Sequence, residues 1–292
     1  MPRLHNGAIE LEYAVLGEPS APALVMIRGL GTQMIEWSPV LLDGFVAAGF
    51  RVAIFDNRDV GLSGKATEDY RLADMAADVV RLMDGLGIRR AAIFGISLGG
   101  MVAQHLALQY PERLTCLISV MSSSGDPTLP RPAPDIQARL MQTAEGRDAI
   151  IALNAQNRVV FGSAAYPEAA AVRLAAATAA HDRCYCPAGV ARQMRAVIAD
   201  GSRAERLRQV RVPTLVIHGV DDPLIPVAAG AHTAKCIPGA RFEAIPGMGH
   251  NLPDALAPTI VGLVREFFRE RAFPGSAGES AGARSVQAPR LP

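Results

Sequence analysis

The sequence has little net charge and no long hydrophobic run. Its 29 Lys and Arg residues almost balance its 28 Asp and Glu residues, giving a formal net charge of +1, and no dense basic stripe is present. Composition therefore gives no support for binding to nucleic acid or an acidic membrane, and favours a small-molecule substrate. No stretch reaches about 18 uninterrupted apolar residues, and residues 1–6 lack the apolar core of a signal peptide. We therefore expect a cytoplasmic protein.

Cysteine is also scarce, with four in the 292 residues. Cys116 lies in an apolar run, where a small buried hydrophobe is expected. Cys184 and Cys186 form a Cys-x-Cys pattern, but His181 is the only further ligand candidate nearby, and no second ligand pair of zinc-site type is present. We therefore expect no metal site here, and the serine chemistry described below requires no cofactor.

Apolar residues, by contrast, make up 50% of the chain, as in a soluble globular protein with a large core. Asn6-Gly7 is a strong turn signal and predicts an edge hairpin at the start. Short apolar runs then alternate with segments of helical period. This order predicts an α/β fold, with a mostly parallel, doubly wound sheet and helices on both faces. The predicted parallel strands are residues 23–27, 50–55, 91–94, 114–121, 214–218 and 241–245.

The alternation stops between residues 122 and 209. A proline-rich linker near residues 127–134 leads into three predicted helices and no convincing strand. These helices are residues 136–151, 168–180 and 189–199. Residues 1–121 and 210–273 are therefore expected to form the core, and residues 122–209 an inserted helical segment. Residues 274–292 are rich in small residues and lack aromatics, so we expect a disordered tail.

One short stretch carries a chemical signal. Residues 93–100 contain Gly-x-Ser-x-Gly, with Ser97 between a predicted buried strand and a predicted helix. A strand that turns at once into a helix places the serine on a sharp, strained bend, and Gly95 and Gly99 leave room for it. The alternative is a glycine-rich turn that merely ends a strand.

A serine nucleophile needs a base and a group that orients the base. Histidine suits the first role, because its unperturbed pKa of about 6.5 leaves it ready to accept a proton at pH 7. His250 follows the last predicted strand and Asp222 follows the strand before it, so both should lie at the same sheet edge as Ser97. Asp221 and Asp126 are the alternative acids.

Acyl transfer also needs two donors for the developing oxyanion. The backbone N–H of Leu98, at the start of the helix, is one candidate. The N–H of Leu30, in the loop Arg28-Gly29-Leu30-Gly31, is the other. Phosphate binding by that loop is disfavoured, because it lacks the third glycine of a dinucleotide fingerprint and the chain has no Gly-Lys-Ser/Thr motif.

The order of Gly-x-Ser-x-Gly, Asp and His, each after a strand, resembles the α/β-hydrolase family over about residues 4–272. Asp56-x-Arg58-x-x-Gly61-x-Ser63 and the residues 245–250 are most similar to its aclacinomycin methylesterase-like branch of bacterial serine esterases. The resemblance implies Ser97 as nucleophile, Asp222 as acid, His250 as base, Leu30 and Leu98 as oxyanion donors, and residues 122–209 as a cap. Asp56 and Arg58 would brace loops.

One departure from the family is Arg28, where many members have a structural histidine; contact with a substrate carboxylate is another possible use of it. Serine at the bend disfavours dehalogenases and epoxide hydrolases, which have aspartate there.

We predict hydrolysis of small-molecule carboxylic esters through an acyl-enzyme. The alternatives are a lactonase, a carbon–carbon hydrolase, a thioester hydrolase or a perhydrolase with the same triad, and a non-catalytic small-molecule receptor. Candidate pocket residues are Met34, Trp37, Met101 and Met248.

Overall fold

The structure is a computed structural model that describes residues 2–5 and 9–272. The predicted Asn6-Gly7 turn and the predicted disordered tail, residues 274–292, lie outside the described residues. No helix in the described part of the chain is long and apolar enough to cross a membrane.

Within the described residues, eight strands form one sheet. They are β1 (Arg3–His5), β2 (Glu10–Leu16), β3 (Ala23–Ile27), β4 (Arg51–Phe55), β5 (Ala91–Ile96), β6 (Leu114–Val120), β7 (Thr214–Gly219) and β8 (Arg241–Ile245). Their order across the sheet is β1-β2-β4-β3-β5-β6-β7-β8. The first two strands pair antiparallel, as expected of an edge hairpin, β2 also pairs antiparallel with β4, and the remaining pairs are parallel. The predicted α/β class with a mostly parallel sheet is therefore confirmed.

Helices cover both faces of this sheet. They are α1 (Pro39–Ala47), α2 (Leu72–Gly85), α3 (Leu98–Gln109), α4 (Pro134–Leu140), α5 (Arg147–Val160), α6 (Ala170–Arg183), α7 (Pro187–Asp200), α8 (Ala204–Leu207), α9 (Val227–Cys236) and α10 (Ala257–Ala272). The segment between β6 and β7 contains helices and no strand, as predicted. The single helix predicted over residues 136–151 is wrong. The structure has two helices there, because α4 ends at Leu140 and α5 begins only after Gly146, whose φ of 80° is not helical.

The core consists of two apolar clusters, one on each face of the sheet. Side chains alternate along β3: Val25 and Ile27 pack with α2 and α3, whereas Leu24 and Met26 pack with α1 and α10. All four are fully buried. Burial on both faces explains why the central strands are continuous apolar runs.

The turn from β5 into α3 carries Ser97 in a strained conformation, with φ 53° and ψ −120°. At this bend the start of α3 contacts the backbone of strands β3 and β5 directly. A Cβ on Gly95 would lie 2.2 Å from the Gly99 carbonyl oxygen, and a Cβ on Gly99 would lie 2.2 Å from the Ile27 carbonyl oxygen. Both glycines are therefore required by close backbone contact, as the motif predicts.

The inserted helices are attached to the core by ion pairs. Three aspartates in the loop after β4 each pair with an arginine of α6 or α7. The pairs are Asp56–Arg183 at 2.6 Å, Asp59–Arg192 at 2.8 Å and Asp69–Arg195 at 2.6 Å. The first two carboxylates are fully buried, so their pairing fixes how the insertion lies on the core.

A buried polar network attaches the end of α7 to α3. Asp200 accepts a hydrogen bond from His105 Nε2 at 2.8 Å and pairs with Arg203, which is 1% exposed. Burial alone would raise the pKa of Asp200, but the His105 hydrogen bond and the Arg203 charge outweigh it and lower the pKa to about 2.

Asp200→Asn is expected to lower the free energy of unfolding at pH 7 by about 3 kcal/mol, because it leaves Arg203 buried without a counter-charge. Folding lowers the pKa of Asp200 from 3.8 to about 2, so its stabilising contribution is complete above about pH 4 and is lost as pH falls towards 2. The difference in urea unfolding between variant and wild type should shrink over that range. Asp69→Asn, which removes an exposed pair, is the control and should change stability little. Equal effects of the two variants would contradict the prediction.

Gly99→Ala is expected to lower the free energy of unfolding by about 1–3 kcal/mol, because the new methyl group would clash with the Ile27 carbonyl oxygen, which is part of the backbone of β3. Gly262→Ala provides the matched control. It adds the same group inside α10 with nothing within 4 Å, and should raise stability by about 0.5–1 kcal/mol. Thermal and urea unfolding of both variants would measure the contrast, and a Gly99→Ala variant as stable as wild type would overturn the account of the bend.

Candidate active site

Three loops at the carboxyl ends of β5, β7 and β8 bring Ser97, Asp222 and His250 together. His250 Nε2 lies 3.1 Å from Ser97 Oγ, and His250 Nδ1 lies 2.7 Å from Asp222 Oδ2. The three side chains form one continuous hydrogen-bonded chain with the imidazole in the middle. These are the residues singled out in the sequence, and 153 positions separate the serine from the histidine.

Hydrogen bonds fix the Asp222 carboxylate beside Nδ1 of the His250 imidazole. Its Oδ1 accepts hydrogen bonds from the backbone N–H groups of Leu224 at 2.9 Å and Ile225 at 2.8 Å, which leaves Oδ2 for His250. Burial alone would raise the pKa of Asp222, but the histidines beside it and the Ile225 amide hold that pKa well below its usual range. The carboxylate is thus a fixed negative charge next to Nδ1 of His250.

The alternative acids have other partners. Asp221 accepts a hydrogen bond from the Gly247 N–H at 2.9 Å and so stabilises the turn before His250. Asp126 caps the turn at Thr128 on the protein surface. Neither interacts with the imidazole of His250 in the hydrogen bonds of the described residues.

A second histidine, His218, is also a neighbour of Asp222, and the sequence does not single it out. It is fully buried, its Nε2 donates to the Ile225 carbonyl oxygen at 2.8 Å, and the same nitrogen lies 3.4 Å from Asp222 Oδ2. His218 therefore supports the loop that holds Asp222. The spacing of four residues between them was the only available signal, and in a strand-to-loop segment such spacing implies no contact.

The inserted segment also contacts the His250 loop. The backbone N–H of His250 donates to the Phe161 carbonyl oxygen at 2.7 Å, and the N–H of Gly249 donates to Ser163 Oγ at 2.8 Å. Both acceptors lie directly after α5. The loop that carries the histidine is therefore fixed from outside the sheet.

The two predicted oxyanion donors belong to backbone close to Ser97. Leu98 is the first residue of α3, and Leu30 follows Gly29, on which a Cβ would lie 3.7 Å from Ser97 Oγ. Within the part of the chain that the structure describes, neither the Leu30 N–H nor the Leu98 N–H donates to another protein group. Both are thus available to an oxygen atom bound beside Ser97.

The Arg28 side chain contacts residues of its own loop. Nε donates to Thr32 Oγ1 at 3.2 Å, Nη1 donates to the Glu36 carbonyl oxygen at 3.3 Å, and the guanidinium lies 4.6 Å from the centre of the Trp37 ring. Burial lowers the pKa of Arg28. The arginine therefore holds together the loop in which many family members have histidine, and its contact with a substrate carboxylate stays a prediction.

The residues of the Asp56-x-Arg58 motif also brace loops. Asp56 Oδ1 accepts from the Met34 N–H at 2.8 Å and Oδ2 accepts from the Leu62 N–H at 2.9 Å. Arg58 forms a buried ion pair with Asp78 of α2 at 2.6 Å. These contacts agree with the role that the family resemblance implies.

The four candidate pocket residues lie against the core. Met34, Trp37 and Met248 are at most 3% exposed and belong to the apolar cluster beneath α1 and α10, while Met101 is half-buried on the first turn of α3. Their position in a substrate pocket stays a prediction, and their packing supports the alternative that they are core residues.

The cysteines fall outside this site. Cys116 is buried, as predicted, and burial raises the pKa of its thiol to about 12. Cys184 and Cys186 are half-buried free thiols. Among residues 2–5 and 9–272, no group of three or more His, Cys, Asp or Glu side chains is placed to hold a metal ion.

Comparison with known proteins gives a consistent result. The family model for the α/β-hydrolase fold matches residues 22–180. Rhodomycin D methylesterase DnrP of Streptomyces peucetius is 30% identical over 275 residues, which cover 86% of this chain and 92% of that protein. The 3-oxoadipate enol-lactonase 2 of Acinetobacter baylyi is 28% identical over 244 residues, or 81% and 85% of the two chains.

A solved structure shows the same architecture. The enol-lactonase from Burkholderia xenovorans LB400 superposes with a TM-score of 0.76 at 25% identity, covering 92% of this chain and 100% of that one. The resemblance drawn from the sequence motifs is thereby confirmed, and the similar proteins are hydrolases. The chain belongs to the α/β-hydrolase fold family.

Proposed function

We propose that this protein hydrolyses carboxylic esters of small molecules, with Ser97 as nucleophile, His250 as base and Asp222 as the orienting acid. The observation that carries the proposal is the continuous chain from Ser97 Oγ through both imidazole nitrogens to Asp222. A buried carboxylate on Nδ1 fixes the tautomer that leaves Nε2 free to accept the serine proton.

The reaction proceeds in two steps. Ser97 Oγ attacks the ester carbonyl as its proton moves to His250, the tetrahedral oxyanion accepts hydrogen bonds from the Leu30 and Leu98 amides, and the alcohol leaves with the proton from His250. A water molecule, deprotonated by His250, then attacks the acyl-enzyme. The acid leaves, and the proton returns to Ser97.

Lactones form a second candidate substrate class, supported by the similarity to two enol-lactonases. A lactone is a cyclic ester, so the same steps apply, except that the alcohol stays joined to the acyl group through the ring carbons and deacylation releases one hydroxy acid. The similarity to a methylesterase at 30% identity favours open-chain esters as the first substrates to test.

We further propose that residues 122–209 form a cap over this site, on a core of residues 1–121 and 210–273. Its support is the pair of attachments described above: Phe161 and Ser163 contact the His250 loop, and α6 and α7 pair with the loop after β4. Side chains of these helices would therefore meet the substrate groups that extend beyond the reacting carbonyl.

Hydrolysis of p-nitrophenyl acetate and butyrate, with a series of lactones alongside, tests the activity. Purified wild-type protein should release nitrophenol with a burst or steady rate at least about 10³-fold above Ser97→Ala, because removal of the nucleophile abolishes acyl-enzyme formation. The Ser97→Ala control should fold like wild type, as judged by circular dichroism. Equal rates for the two proteins would exclude serine esterase activity.

The pH dependence of kcat/KM tests the base. We expect a fall with unit slope as pH is lowered through the range of about 8 to 5 in which histidines titrate, because an imidazole that has taken up a proton can no longer act as a base. Asp222 adds no loss in that range, because its lowered pKa keeps it ionised down to more acidic pH. A profile that is flat between about pH 5 and 8 would contradict a histidine base.

A further inference from the structure

The Leu30 amide is aimed by its neighbours in the loop. The Gly29 carbonyl and the Leu30 N–H belong to one planar peptide group, so a partner that fixes the carbonyl also fixes the direction of the N–H. The Gly29 oxygen accepts a hydrogen bond from Thr32 Oγ1 at 3.1 Å and a longer one from the Thr32 N–H at 3.4 Å.

The direction of the Thr32 hydroxyl is itself determined. Arg28 Nε donates to Thr32 Oγ1 at 3.2 Å, and an arginine can only donate. The single proton of the hydroxyl is therefore left for the Gly29 oxygen. Hydrogen bonds are therefore donated in one direction, from Arg28 to Thr32 and from Thr32 to Gly29. We call this chain of hydrogen bonds, which ends at the peptide that carries the Leu30 N–H, the relay.

The next peptide is held by a residue of the inserted helices. Gln193 of α7 is fully buried; its Oε1 accepts from the Gly31 N–H at 2.8 Å and its Nε2 donates to the Arg58 carbonyl oxygen at 3.0 Å. A buried amide needs both partners, and these partners fix which of its ends faces the loop. Gly31 has a φ of 65°, and a Cβ there would lie 2.9 Å from the Val190 side chain, so α7 packs directly on this loop.

We infer that Thr32 and Gln193 are positioning residues for the oxyanion donor Leu30. Thr32 fixes the peptide that contains the Leu30 N–H, and Gln193 fixes the peptide that follows it. This inference rests on the proposed function and adds that the inserted helices help to form the oxyanion hole. Neither residue touches the reacting atoms.

A matched pair at position 32 tests the relay. Thr32→Val keeps the shape of the side chain but removes the hydroxyl, whereas Thr32→Ser keeps the hydroxyl. With p-nitrophenyl butyrate we expect kcat of Thr32→Val to fall about tenfold and KM to stay within about twofold, because the oxyanion forms only after binding. Thr32→Ser should retain most of the wild-type kcat.

A second pair tests the contribution of α7. Gln193→Met removes both hydrogen bonds at similar side-chain length and should lower kcat about tenfold. Arg195→Gln is its control, because it breaks an exposed ion pair between the same helix and the core without touching the oxyanion loop. It should leave kcat within about twofold of wild type.

A boronic acid inhibitor adds a measurement besides turnover. Its tetrahedral adduct with Ser97 places an oxygen in the oxyanion hole, so its affinity should fall about tenfold in Thr32→Val and Gln193→Met and stay unchanged in the two controls. A purely structural role would instead lower thermal stability without separating kcat from KM.

The outcomes are distinct. If Thr32→Val matches Thr32→Ser, or Gln193→Met matches Arg195→Gln, in both kcat and inhibitor affinity, the role assigned to that residue is wrong while the proposed function stands. If wild type has no activity beyond Ser97→Ala, the proposed function itself fails. The Thr32 pair remains decisive for the relay even if Gln193→Met does not fold, since neither Thr32 variant alters the inserted helices.

Discussion

The close approach of α3 to strands β3 and β5 is the constraint on which the site depends. It exists because Gly95 and Gly99 lack side chains, and it holds Ser97 in a left-handed conformation that costs about 1–3 kcal/mol. The Ser97 N–H donates to the Val120 carbonyl oxygen, and Ser122 Oγ donates to the Ser97 carbonyl oxygen, which stabilises the bend. The same contact sets the start of α3 beside the loop after β3. Ser97 and both candidate oxyanion donors are thus placed by a single backbone packing interaction.

The fold and the central three side chains were predictable because their signals are local. Continuous apolar runs mark strands buried on both faces, and in a parallel sheet the residue after each strand must lie at one edge. Ser97 lies one residue after β5, Asp222 three residues after β7 and His250 five residues after β8. Strand order placed these loops at one edge of the sheet, but it left Asp221 and Asp126 as alternatives to Asp222.

The supporting residues could not be predicted, because their contacts join distant parts of the chain. Gln193 meets Gly31 across 162 positions and Ser163 meets Gly249 across 86. In the sequence both lie in helical or loop segments with no distinguishing pattern, and a buried glutamine differs from an exposed one only through its partners. The interruption between α4 and α5 was missed for a related reason, since the apolar spacing continues across residues 141–146, which are not helical.

The segment between β6 and β7 contacts two loops of the candidate site: the Phe161 carbonyl oxygen accepts from the His250 N–H, and Gln193 Oε1 accepts from the Gly31 N–H. Under the proposed function, exchange of this segment would therefore change more than substrate preference. A chimera carrying the corresponding segment of a relative would also inherit that relative's contacts to the His250 loop and to the loop that carries Leu30. Rate and specificity would then change together.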